Sequence, residues 1–332
     1  MPKISLSDGS ASFDCSADDT VLRAALRAGI GMSYSCNVGS CGNCRFELLE
    51  GDVTHRRKDA PAYSEKDRAR GRWLGCQAVP SGDCQIKFRP DPSAVPIYPP
   101  HKRRAELIGK QAMSHDMAEF TFRIEGPTDF LPGQYALLSV PGVEGERVYS
   151  MAGLPGSPLW SFQIKRVPEG AATGVLFDQL EVGACVMIDG PYGNAHLRDE
   201  SPRDIVLLAG GSGLSPMVSI ARGALVSDRH PTRRVRLFFG GRAPRDLEAI
   251  SFLREITDPR FELTEAVSDP ASAEGWTGAT GFVHQIAEAQ LGDRLQESEI
   301  YFAGPPAMAQ AISLAFHARA IPPDQIHFDE FY

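Results

Sequence analysis

Four cysteines set the tightest limit on what this chain can fold into. Cys36, Cys41 and Cys44 lie within the nine residues CNVGSCGNC, and Cys76 follows 32 positions after Cys44. The spacing C-x4-C-x2-C with a distant fourth cysteine is one that holds a [2Fe–2S] cluster. Three ligands on one loop require that loop to be tight. Gly39 and Gly42 allow this, because glycine adopts positive φ and leaves backbone amides free to donate to sulfur, which stabilises a more negative, reduced cluster. A four-cysteine zinc site is the competing reading, but such sites usually duplicate the C-x2-C pair, and here only Cys41 and Cys44 form one. Cys15, Cys84 and Cys185 fall outside the spacing in strand-like stretches and read as inert thiols. An odd, clustered set of seven cysteines argues against a disulfide framework.

At 332 residues the chain is long enough for two or three cores. Residues 3–7 and 11–14 alternate as a hairpin would, and Asp18 with Thr20 is expected to cap the helical stretch VLRAALRAG, which Gly29 ends. RFELLEGDV and CQIKF read as strands flanking a polar helical segment, YSEKDRARG, so residues 1–92 form an α+β unit. A stretch carrying five prolines, RPDPSAVPIYPPHKRR, reads as a linker placed at 93–102, with the charged run His101 to Arg104 as a solvated face. Over 103–200, short strands broken by Gly and Pro suggest an antiparallel barrel. Over 201–332 the rhythm is strand then helix, with helices expected near LEAISFLREI, FVHQIAEAQL and MAQAISLAFHARA, as for a parallel sheet covered by helices.

The net charge is −8, and no basic stripe recommends a nucleic-acid partner. No apolar run approaches the roughly 20 residues that span a bilayer, and the N-terminus lacks a signal-like apolar core, so no membrane is expected and the location is read as cytoplasmic.

Two further constellations carry chemistry. The first is Arg147-Val148-Tyr149-Ser150, after LPGQYALLSV and before FQIKRVPEG, AATGVLF and Gly190-Pro191-Tyr192-Gly193. The second is Gly210-Gly211-Ser212-Gly213-Leu214-Ser215-Pro216, directly after the apolar strand DIVLLAG and opening a helix, where close backbone approach and a helix N-terminus suit a pyrophosphate. Pro216 falls in the first helical turn, where it costs no useful donor. Ala303-Gly304-Pro305-Pro306-Ala307-Met308 follows the strand IYF.

In this order the motifs resemble the ferredoxin–NADP reductase superfamily joined to an N-terminal plant-type ferredoxin, over nearly the whole chain. The resemblance implies a multidomain fold: a β-grasp α+β ferredoxin, an antiparallel β-barrel for FAD and an α/β parallel-sheet domain for the nicotinamide. It implies Cys36, Cys41, Cys44 and Cys76 as cluster ligands. It also implies that Arg147 neutralises the FAD pyrophosphate, that Tyr149 lies against the isoalloxazine and that Ser150 acts near its N5 edge. Lys165, Thr173 and the amides after Gly170 fall where relatives hold ribityl and phosphate groups, with a solvent-facing strand residue as the other reading of Lys165. Gly190 belongs to the same barrel signature. Gly210, Gly211, Gly213, Pro216, Gly304 and Pro305 are implied at the nicotinamide, with Ala303 replacing the family's usual cysteine.

Asp269, in Val267-Ser268-Asp269, would repel a 2′-phosphate and accept from a ribose hydroxyl, which favours NADH, although Arg242 and Arg245 offer cations nearby. The C-terminal FDEFY resembles reductases whose terminal aromatic covers the flavin, with Phe331 as the first choice and Tyr332 the fallback; a tail packed on the core is the alternative. The closest likeness is to reductases that pass electrons from NADH through FAD and a [2Fe–2S] cluster to a terminal oxygenase or ferredoxin component of an aromatic oxygenase. A reductase for deoxysugar synthesis and a redox-sensing module are the alternatives.

Overall fold

The computed structural model describes residues 1–329. The first domain is a five-stranded sheet in the order Ser12–Asp14, Lys3–Leu6, Cys84–Lys87, Arg45–Glu50, Arg72–Leu74. Helix Val21–Arg27 buries Val21, Leu22, Ala25 and Leu26 against it, and Gly29 ends the helix at φ +73°. The expected side-chain cap is not made: Thr20 is the N-cap residue without a side-chain hydrogen bond, and Asp18 instead accepts from Ser16 Oγ and Lys102 Nζ. Helix Glu65–Ala69 does carry a capping box, between Ser64 and Asp67.

The second domain is a six-stranded antiparallel sheet ordered Arg147–Ser150, Tyr135–Ser139, Cys185–Tyr192, His101–Ala112, Met117–Ile124, Leu159–Lys165. A bridge between Met151 and Phe162 links its two edges into a barrel. Phe120, Phe122, Trp160 and Phe162 fill the interior. The run His101 to Arg104 lies inside a strand and is the expected solvated face at all but one of its positions. Strand alternation exposes His101, Lys102 and Arg104 but turns Arg103 inward, where it donates to the Gly190 carbonyl (2.8 Å) and its guanidinium lies 5.0 Å from the Trp160 ring centroid.

The third domain is a parallel sheet ordered Ala279–Thr280, Phe261–Val267, Val235–Gly241, Ile205–Gly210, Glu299–Ala303, Ile326–His327. Every residue of the central strand Ile205–Gly210 is buried, as sheets covered on both faces require. Helices Leu214–Val226, Val283–Leu291 and Pro306–Ala318 cover it. The helix expected near residues 247–256 is a 3₁₀ run, Pro244–Glu255. Its inward residues Leu247, Ile250 and Leu253 recur every third position, which matches three residues per turn.

The proline stretch turns back onto the first domain: Asp91 N donates to Gly31 O at 2.9 Å, and a Cβ on Gly31 would lie 1.9 Å from Asp91 O. The first domain is seated on the barrel by Arg27–Asp189 (2.7 Å) and Arg23–Glu146 (3.1 Å). Tyr135, Leu137 and Tyr192 of the barrel belong to the same apolar core as the first domain's helix. Among the described residues no helix is long and apolar enough to cross a membrane.

Candidate functional site

The cysteine loop is held by its own backbone. Asn37, Gly39 and Gly42 adopt φ of +56°, +88° and +78°, which turns the loop inward. The amides of Val38, Ser40 and Cys41 donate to Cys36 Sγ at 3.4, 3.2 and 3.4 Å, Asn43 N donates to Cys41 Sγ at 3.5 Å, and Cys76 N donates to Cys44 Sγ at 3.4 Å. The thiols of Cys36 and Cys41, Cys36 and Cys76, and Cys44 and Cys76 influence one another pairwise. They form a chain of pairs, and among the described residues no three His, Cys, Asp or Glu side chains are grouped as a single metal ion requires. Four thiols with amides aimed at sulfur fit a cluster of two irons. Burial pushes the Cys15 thiol up to about 12, in keeping with an inert core cysteine.

The loop has two ends. Its inner end faces the barrel: Tyr135 Oη donates to Ser35 O at 2.6 Å, and Arg23 Nε donates to Asn37 Oδ1 at 3.1 Å. Cys36, Cys44 and Cys76 are buried, whereas Cys41 is partly exposed and Asn43 exposed. The outward end is therefore narrower than the whole Cys36–Cys44 stretch.

Strand Arg147–Ser150 pairs with Tyr135–Ser139, placing Ser150 opposite Tyr135. Burial pushes the Tyr149 hydroxyl up to about 12. Arg147 folds over its own turn and donates to the carbonyls of Glu144 (3.1 Å) and Glu146 (3.2 Å). Lys165 pairs with Asp116 at 3.0 Å, and its Cδ lies 3.4 Å from where a Cβ on Gly211 would be. Gly170 precedes helix Ala171–Asp178, and a Cβ there would meet Thr173 Oγ1 at 2.6 Å. The Thr173 hydroxyl is engaged in that turn, with Val167 N and with the Val167 and Gly170 carbonyls. The first-turn amides of Ala171 and Ala172 have no acceptor among the described residues, which leaves them available to an anion. Gly190 is buried in the barrel wall, where a Cβ would lie 2.9 Å from Ala136 Cβ.

A cavity of about 130 Å³ joins the barrel to the third domain, and Tyr149, Ser150, Gly213, Pro216, Ala303 and Gly304 all line it. Close packing explains its glycines. A Cβ on Gly213 would lie 2.0 Å from Ala303 O, and Cβ atoms on Gly210 and Gly304 would meet Met308 Sδ at 2.8 and 2.6 Å. Gly211 has φ +56°, and Pro305 precedes helix Pro306–Ala318. Asp269 stands apart, just beyond strand Phe261–Val267, where its carboxylate accepts from Ala271 N (3.0 Å) and Ser272 Oγ (2.8 Å). Arg242 and Arg245 are exposed near the end of the neighbouring strand Val235–Gly241. Phe331 and Tyr332 lie outside the described residues.

Several participants were not singled out from sequence. Ser215 Oγ donates to Ser150 O (2.6 Å) and accepts from Gln163 N (3.2 Å), tying the glycine loop to the barrel. Asp329 lines the cavity and accepts from Asn194 N (3.3 Å) and Ala195 N (3.4 Å); burial, against those amides, pushes its carboxyl up to about 7. Gly193 N donates to Tyr34 Oη (3.0 Å) and Asn194 Nδ2 to Tyr34 O (3.0 Å), so loop 193–195 touches all three domains. The FDEFY motif marked the right segment for Asp329; nothing local marked Tyr34.

Comparison with known proteins matches three family models: a 2Fe-2S iron-sulfur cluster binding domain over residues 5–81, an oxidoreductase FAD-binding domain over 104–197 and an oxidoreductase NAD-binding domain over 207–313. The chain is 39% identical to a ferredoxin–NAD(P)+ reductase of Metapseudomonas resinovorans, with 98% of each chain covered. It is 38% identical to the ferredoxin–NAD+ reductase component of the alkene monooxygenase system of Xanthobacter autotrophicus, covering 98% of this chain and 99% of that one. Among solved structures it is similar to a ferredoxin reductase in carbazole 1,9a-dioxygenase, with a TM-score of 0.91 and 37% identity over 100% of this chain and 98% of the other.

Proposed function

Because the chain belongs to the family of ferredoxin–NAD(P)+ reductase components of oxygenase systems, oxidoreductases with 2Fe-2S, FAD and NAD domains, we propose that it carries electrons from NADH to the terminal oxygenase or ferredoxin component of a multicomponent aromatic oxygenase in the cytoplasm. The bound flavin and cluster supply the conversion between a two-electron hydride and single electrons. The observation that carries this reading is the convergence on one pair of adjacent barrel strands: Ser150 opens onto the interdomain cavity, and its cross-strand neighbour Tyr135 holds the carbonyl preceding Cys36.

In this reading Cys36, Cys41, Cys44 and Cys76 ligate the cluster. The chain divides at 1–92, 93–102, 103–200 and 201–332. Arg147 and the amides after Gly170 hold the flavin diphosphate, and Tyr149 and Ser150 bound the flavin ring. Lys165 and Gly211 close the space between the two cofactor domains. Gly210, Gly213, Pro216, Gly304 and Pro305 shape the nicotinamide cleft by close packing, and Ser215 fixes the cleft to the barrel. Asp269, held in place by hydrogen bonds within its own turn, disfavours a 2′-phosphate.

The test is NADH-dependent reduction of ferricyanide and of a one-electron protein acceptor by the purified holoprotein, followed by reconstitution with candidate oxygenase components and scoring of hydroxylated product. Turnover in both assays is expected. Negligible dye reduction would refute the reductase reading, and failure with every aromatic oxygenase would refute the partner assignment.

A further inference from the structure

The outward end of the cysteine loop opens onto a face of unusual charge. The whole chain carries 34 basic and 42 acidic residues, yet between residues 43 and 89 there are ten Lys and Arg against seven Asp and Glu. Among the described residues Lys58, Arg68, Arg70, Arg72, Lys87 and Arg89 are exposed and form no ion pair, although Arg89 acts on the Asp91 carboxylate at longer range.

Arg45 fastens this face to the loop. Its guanidinium donates to Gly42 O and to Ala62 O, both at 2.8 Å, and pairs with Asp67 at 3.2 Å. On one side of it, segment 57–63 packs against the loop: Ala62 N donates to Gly39 O at 3.1 Å, and Ala60 Cβ is 2.9 Å from where a Cβ on Gly39 would be. Arg68 closes over that segment through Lys58 O (3.4 Å) and the Tyr63 ring. On the other side a groove of about 460 Å³ is lined by Arg45, Arg72, Lys87 and Arg89, with Asp8 and Glu47 as its only acids among the described residues. The opposite face of the domain is already occupied, since Arg23, Arg27 and Tyr34 bind the barrel.

Thus the one partly exposed ligand-bearing end, at Cys41 and Asn43, emerges beside a cationic rim on a protein whose overall charge is negative. We infer that this face docks an acidic electron-acceptor protein, one whose redox centre is approached through a carboxylate-rich surface. The inference rests on the reductase reading and adds the charge class of its partner. A basic acceptor would be attracted by the net charge of the chain but repelled at the loop itself. An acidic one is steered to the loop by the local field, and complementary patches of this kind act mainly on encounter rate and register.

Two soluble haem proteins of opposite charge serve as probes, acidic cytochrome b5 and basic cytochrome c, with ferricyanide reporting the NADH half-reaction alone. The variant is Lys58→Glu/Arg89→Glu in the holoprotein. Both side chains are exposed and belong to none of the cofactor sites.

At low salt, kcat/KM for cytochrome b5 is expected to fall by about tenfold or more in the variant, the lower end of what steering contributes. Raising the salt should lower the wild-type value in the same direction. Binding of oxidised cytochrome b5, measured by titration without NADH, should weaken in parallel. Ferricyanide reduction should be unchanged, and cytochrome c reduction unchanged or faster. Equal loss with both haem proteins, or no loss with cytochrome b5, would overturn the docking assignment. Loss of ferricyanide reduction already in the wild type would refute the reductase reading instead, and the titration would then decide the docking surface by itself.

Discussion

Glu146→Ala should separate the two halves of the electron path. Arg23 is a first-domain arginine whose side chain is only 3% exposed; it pairs with Glu146, 16% exposed, at 3.1 Å, and its Nε holds Asn37 in the cysteine loop. Arg56 reaches the same carboxylate oxygen at 3.1 Å. Burial alone would raise the Glu146 carboxyl, but Arg23 and Arg56 hold it below the usual carboxylate range, so the pair is ionised at neutral pH. Removing the carboxylate strands a buried guanidinium, which costs roughly 3–5 kcal/mol in comparable buried pairs. Because Arg56 is 28% exposed and returns to water, the lower figure applies, about 3 kcal/mol, which at about 1.4 kcal/mol per tenfold weakens docking of the first domain by roughly 150-fold.

Ferricyanide reduction by NADH should survive in this variant, while reduction of a protein acceptor through the cluster falls steeply. FAD content must be measured alongside, since Arg147 is the next residue. Arg23→Met/Glu146→Leu, which removes both charges, should recover most of the loss. An unchanged ratio of the two activities together with unchanged thermal stability would refute the argument that this pair seats the domain.

Three other outcomes follow from the geometry. Gly213→Ala would force a methyl group to 2.0 Å from Ala303 O, a backbone atom that cannot swing aside, so a loss of about 1–3 kcal/mol and a weakened NADH titration are expected with FAD retained. His55 accepts from Leu74 N at 3.1 Å, and burial, with Arg68 adding, lowers its pKa to about 4. A depressed folded pKa means the stabilisation is complete above the unfolded value near 6.5 and is lost as pH falls towards 4, by up to about 3 kcal/mol. Urea melts across that window should show the loss in the wild type and little of it in His55→Gln. Asp269→Ala should lower the preference for NADH over NADPH by about tenfold, the worth of one charge-assisted hydrogen bond; unchanged kcat/KM for both nucleotides would remove Asp269 from the specificity determinants.

Local chemistry made part of the molecule legible. The cysteine spacing marks a loop because φ-permissive glycines and three thiols must occupy nine residues, and the barrel strands announce themselves by alternation over each Gly- or Pro-bounded run. The glycine loop reads clearly because a buried apolar strand precedes it and a helix follows. Those patterns depend on neighbours only a few residues apart. By contrast, nothing near Thr173 announces that its hydroxyl is spent within its own turn, and nothing near Arg103 says which strand face is inward.

The partnerships that assemble the path join residues far apart in the chain: Arg23 with Glu146, Tyr135 with Ser35, Asn194 with Asp329. Such contacts leave no periodic trace, since each depends on how three separately folded units pack. The cysteine spacing by itself determined that this chain builds a cluster loop; only the packing of the three domains decided that Cys36 faces the barrel while Cys41 meets a cationic surface, because exposure belongs to an assembled interface and not to a loop.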